Sequence, residues 1–106
     1  MPAKEVMPKE VDGIVVALCA DFFRRKALIE NRNAGYSVIM ECRFLNYRIL
    51  DAARQVAGEP EAEIYIRDIG GRTGYTKSKL NRLSEGNYKE KKAAVKIAIA
   101  KRLLLM

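Results

Sequence analysis

A periodicity constrains this chain more than any other feature. From Val38 to Val56 the side chains Val38, Cys42, Leu45, Ile49, Ala52 and Val56 recur at steps of 4, 3, 4, 3 and 4. That spacing keeps all six on one face of an α-helix. Ser37 stands where an N-cap is expected, Gly58 follows the last apolar residue, and Pro60 closes the exit. An earlier stripe runs Val11, Val15, Leu18, Phe22 and Ile29, with Arg25 at the one step that is not apolar. Pro8 suits a first helical residue, because its missing N–H would be unsatisfied there anyway. Asn31-Arg32-Asn33-Ala34-Gly35 ends this helix, with Asn and Gly tolerating a left-handed cap. Two long stripes joined by a short turn predict an antiparallel helical hairpin over residues 8–57. A sustained heptad also permits pairing between chains, so the 11–56 hairpin is read both as an intrachain core and as a candidate homodimer interface.

Pro60 restarts a third helix, with Glu61 and Glu63 in its first turn to suit the dipole. Ala62, Tyr65, Ile66 and Ile69 give it an apolar side. Gly70-Gly71 weakens it and Gly74 stops it. Ser84 predicts an N-cap for a last helix from Glu85 to about Leu104, with Tyr88, Val95, Ile99 and Leu103 on one side. The expected fold class is therefore all-α: the hairpin, a helix-turn-helix-like unit, and a long basic C-terminal helix. The 106 residues suit one domain, with 60–106 as its basic part.

Composition removes several kinds of chemistry. There is no histidine, which excludes His-based acid–base catalysis, Ser-His and Cys-His nucleophile pairs, and ordinary zinc sites. Cys19 and Cys42 both fall on apolar faces and read as buried free thiols. In the hairpin register they lie about six residues apart, ~9 Å at 1.5 Å per residue, beyond the reach of a disulfide. Acidic residues such as Glu41 and Asp51 recur on the helices, but no pair sits where burial would obviously shift its pKa. No enzyme, catalytic residue, metal ligand or cofactor is expected. The longest apolar run, Ile14 to Ala20, ends at Asp21 and is far shorter than the ~20 residues of a membrane span. Met1 to Asp12 carries two lysines and three acids and does not read as a signal peptide. The default location is cytoplasmic.

Charge is uneven along the chain. Residues 1–66 hold 9 Lys/Arg and 10 Asp/Glu, whereas residues 67–106 hold 11 and 3. A basic half beside a neutral one suggests a directed field, with DNA, RNA and anionic lipid as candidate partners.

The functional signal is concentrated in Ile66 to Leu83. A helix-turn-helix needs a small residue where two helices cross, supplied by Gly70. Four positions on it needs a residue tolerant of positive φ, supplied by Gly74. Ile69, Tyr75, Leu80 and Leu83 fall at its buried positions, and Thr76 can cap a second helix. Lys77, Ser78, Asn81 and Arg82 then face outward. Arg pairs bidentately with guanine, Asn with adenine, and Ser or Thr with a base or a phosphate. The segment Gly74 to Leu83 resembles the helix-turn-helix of bacterial repressors. The resemblance implies that Thr76, Lys77, Ser78, Asn81 and Arg82 face the major groove, with Lys79 beside them.

A second resemblance starts at Ser84. Its features are Ser84-Glu85, Tyr88 four residues after Ser84, Lys92 four after that, and a basic amphipathic continuation. The segment Ser84 to Val95 looks like the end of the ArpU/RinA-type regulators of phages and prophages of Gram-positive bacteria. This implies a recognition helix beginning at Ser84, with Asn87, Lys89, Lys91 and Lys92 near DNA and Lys96 further along. Both resemblances imply double-stranded DNA as partner and a sequence-specific transcriptional regulator. They differ on which helix reads the bases. Against them stand a merely solvated lysine face on a non-enzymatic helical assembly protein, and membrane-surface binding through the last helix and Leu103-Leu104-Leu105-Met106.

Overall fold

The computed structural model describes residues 6–106, and all of their regular structure is helical. Residues 1–5 of the N-terminal stretch discussed above lie outside the described residues. The elements are α1 (Lys9–Ala20), α2 (Phe22–Asn31), α3 (Tyr36–Ala57), α4 (Glu61–Gly71), a 3-10 turn (Tyr75–Lys77) and α5 (Glu85–Arg102). Pro8 and Pro60 sit one position ahead of the first helical residue, as N-caps of α1 and α4. Gly58 caps α3 at φ +70°, a value that favours glycine. Ser84 caps α5, its Oγ accepting from Asn87 N at 3.2 Å, as the sequence predicts. Ser37 does not cap α3, which begins at Tyr36 with Gly35 as its N-cap, two residues earlier than expected.

The predicted hairpin is corrected in its first arm. The Val11 to Ile29 stripe is not one helix but two, broken at Asp21. Only α2 lies along α3; α1 turns away and packs on α4 and α5. Arg25 accounts for the break. It stands at the one polar step of the stripe and is buried. Its Nη2 donates to Leu18 O at 2.7 Å, taking a carbonyl at the end of α1. Its Nε donates to Asn46 Oδ1 at 2.7 Å and its Nη1 to Asp21 Oδ2 at 3.1 Å. Asn46 Nδ2 in turn donates to Phe22 O at 3.1 Å, so the buried amide and guanidinium satisfy one another.

Gly70 is a close-crossing residue, as its spacing suggests, but its partner is α1. A Cβ placed on it would lie 2.5 Å from Ala20 N and 2.6 Å from Ala20 Cα. The backbones of α1 and α4 therefore meet at the point where α1 ends.

One core runs through the molecule, with Val15, Phe22, Ile49, Tyr65, Ile66, Leu80, Tyr88, Val95 and Ile99 among its buried residues. Each such aliphatic side chain contributes roughly 1.5–3 kcal/mol on full burial. Ile49 and Ala52, members of the α3 stripe, are spent in this intrachain core. Cys19 is buried, and burial pushes its thiol up to about 12; Cys42 is half-buried, and both are free. Among the described residues no helix is long and apolar enough to cross a membrane.

Candidate nucleic-acid interface

The connection between α4 and α5 begins with Arg72 in the left-handed region at φ 52°. This is the positive-φ position of the turn; Gly74, expected there, is extended. Arg32 takes the same left-handed role after α2, in place of the Asn and Gly expected to do so. Thr73 N then returns to Asp68 O at 2.9 Å.

The second helix expected over Thr76 to Leu83 does not form. A single 3-10 turn over Tyr75–Lys77 is followed by Ser78 in extended geometry and a run of turns. Side chains compete here with the helical ladder. Ser78 Oγ accepts from Leu80 N at 3.0 Å and donates to Asp68 Oδ2 at 2.5 Å. The Tyr75 hydroxyl lies 2.8 Å from Asn81 O and 2.5 Å from Leu83 O, sharing its proton between them. Tyr88 Oη donates to Asp68 Oδ2 at 2.8 Å and lies 3.3 Å from Thr73 O. Tyr88 also stacks on Tyr65 and meets Tyr75 at a tilt, both with centroids 5.7 Å apart. Burial, followed by the hydrogen bond to Asp68, pushes the Tyr88 hydroxyl up to about 12. The loop is thus pinned through one buried carboxylate, Asp68, and two tyrosines, Tyr75 and Tyr88.

This pinning sorts the residues read from sequence. Ser78, expected to face outward, is buried against Asp68. Lys92, expected near DNA, is half-buried, donates to Thr73 O at 2.7 Å and lies 5.7 Å from the Tyr88 ring centroid. Its ammonium is held below its ordinary value, chiefly by burial. Lys96 pairs with Asp12 across to α1 at 3.0 Å. Thr76, Lys77, Lys79, Asn81, Arg82, Asn87, Lys89 and Lys91 are exposed. Arg82 pairs with Glu61 at 3.0 Å and Lys89 with Glu85 at 3.0 Å. The Glu61 carboxyl sits below the usual range, its own backbone amide and then Arg82 holding it there. Among the described residues no ion pair is formed by Arg72, Lys77, Lys79 or Lys91. The exposed acids on the same stretch are Glu85 and Glu90.

Two contributors are missed by the sequence reading. Asp68 carries a signal, since it lies three residues after Tyr65 and so on the buried side of α4, where a carboxylate requires partners. Arg72 carries none, because arginine has no preference for the left-handed cap it occupies. The described residues hold no cluster of His, Cys, Asp or Glu able to bind a metal ion. Comparison of the chain with family models, curated proteins and solved structures finds no match.

Proposed function

We propose that this protein binds double-stranded DNA through the surface built from the 72–83 loop and the first two turns of α5. The observation that carries the reading is a loop pinned from beneath by Asp68, Tyr75 and Tyr88 that presents unpaired cations above. Arg72, Lys77, Lys79 and Lys91 supply phosphate contacts, whose counterion release drives binding. Since 76–83 is not a helix, α5 is the element available to enter a groove, with Asn87 and Lys89 near its start. Asn reads adenine, and Lys reads guanine or phosphate. This choice agrees with the resemblance of Ser84 to Val95 to the ArpU/RinA-type regulators, and that resemblance supports a role in transcription.

Selection of bound fragments from random duplex DNA tests the proposal. Enrichment of a common short sequence, lost in an Asn87→Ala, Lys89→Ala variant, supports reading by α5. Recovery of no fragment above background removes the proposal.

A further inference from the structure

Helix α3 is apolar on two sides. Ile49 faces the core, and Met40, nine residues or two and a half turns earlier, therefore lies on the opposite side. Tyr36, Phe44 and Tyr47 share that outer side with Met40. The four are 79%, 65%, 58% and 42% exposed for Tyr36, Phe44, Tyr47 and Met40 respectively. At roughly 150–250 Å² per buried aromatic side chain, this stripe offers several hundred Å² of apolar surface. That is at the upper end of what a monomer exposes in one patch, and about half of what one partner brings to a standard interface.

We infer that this outer stripe seats a second copy of the same chain, α3 against α3 in antiparallel orientation. The spacing Met40, Phe44, Tyr47 is 4-3, the seam spacing of paired helices; Asp51, four residues further on, is ion-paired with Arg102 of the same chain and ends the apolar seam. Charges flanking the seam set the orientation. On one flank stand Glu41 and Arg48, and on the other Arg43. A parallel pair brings Arg43 of one helix against Arg48 of the other, like against like. An antiparallel pair brings each flank against itself, so Glu41 of each copy meets Arg48 of its partner, twice over by symmetry. The same register packs Phe44 of each copy on Tyr47 of the other. Arg48 is already held over the Phe44 ring at 5.4 Å and anchored by its Nη2 on Arg102 O at 2.5 Å, so it is placed before pairing.

This inference does not rest on DNA binding, and its test contains no DNA. Sedimentation of the full chain at about physiological salt, over a dilution series, is expected to show a monomer–dimer equilibrium. Phe44→Glu is expected to weaken it about 30-fold or more, with the helical circular dichroism unchanged. Glu41→Arg and Arg48→Glu are each expected to weaken self-association. Mixed together, the two single variants are expected to form a heterodimer preferentially, because each then meets the opposite charge. A chain monomeric at every concentration, or a dimer indifferent to Phe44→Glu, overturns the inference. Loss of dimer in Phe44→Glu without preferential pairing of the charge variants overturns the antiparallel register.

Discussion

The Tyr88 hydroxyl donates at 2.8 Å to Asp68 Oδ2, the oxygen that also accepts from Ser78 Oγ at 2.5 Å. One buried carboxylate thus ties the start of α5 to the loop before it and to α4 beneath. Asp68→Ala leaves two buried hydroxyls without their acceptor, at ~1–3 kcal/mol each. We expect a loss of about 2–6 kcal/mol in urea unfolding, with amide exchange accelerated in 73–83 ahead of the helices. Equal exchange across loop and helices in this variant would contradict the pinning role.

Tyr88 and Cys19 make stability fall at alkaline pH. Each has its folded pKa raised to about 12, from ordinary values of 10.0 and 9.0, with burial the first cause. The unfolded chain ionises first, so the neutral groups stabilise the fold fully below those ordinary values. That stability is lost as pH rises through the interval to about 12. The urea midpoint should decline there, and the decline should be shallower in Tyr88→Phe. A midpoint flat across that interval is the contrary result.

The glycines of α1 and α4 should respond oppositely to alanine. At Gly70 the new Cβ meets Ala20 backbone at 2.5 Å, and the two helices must part. Overpacking costs about 1–3 kcal/mol or more, against at most ~1 kcal/mol gained in helix propensity. At Gly13 a Cβ meets nothing within 4 Å, so alanine should stabilise by ~0.5–1 kcal/mol. Thermal unfolding of the two variants decides it: Gly70→Ala lower, Gly13→Ala higher than the parent.

Arg25 and Asn46 should behave as a unit. Replacing Arg25 alone by methionine leaves Asn46 Oδ1 and Leu18 O without a donor in a buried site, costing about 2–5 kcal/mol. The double change Arg25→Met, Asn46→Leu removes the Arg25–Asn46 pair but leaves Leu18 O and Phe22 O without these donors, and we expect it to recover only the part of the loss due to Asn46 Oδ1. Additive losses in the double-mutant cycle would show that the two act separately.

These pairs also mark what the sequence made legible. Ser84, Gly58 and the two prolines act through local backbone chemistry, and the ends they predict are present within a residue or so. The α3 stripe from Leu45 to Val56 and the crossing role of Gly70 were equally readable, because both are set by side-chain size and spacing, whereas Val38 at the start of the stripe is exposed. The break at Asp21 was not, since the stripe stays in phase across it and its cause is Arg25 reaching back to Leu18 O. The second helix of the expected helix-turn-helix failed for a related reason. Its glycines and apolar spacing are present, but Ser78, Tyr75 and Asp68 form tertiary hydrogen bonds that outweigh local helix formation. In the candidate site, exposure of Lys77, Lys79 and Lys91 agreed with the sequence, whereas Ser78 and Lys92 turned inward to serve that same network. The partner of Gly70 depended on the turn-away of α1, which no periodicity encodes.

A surface at 72–91 that holds DNA phosphates, as proposed, makes duplex affinity fall with salt, and a salt titration measures that fall. Four contacts, from Arg72, Lys77, Lys79 and Lys91, imply a slope of about −3.6 in log affinity against log salt, or roughly 100-fold weaker binding between 50 and 200 mM. Lys77→Ala, Lys79→Ala, Lys91→Ala in one chain should flatten that slope by about three-quarters while the fold is retained. Absence of binding at 50 mM salt, or a slope left unaltered by the triple substitution, would contradict the account.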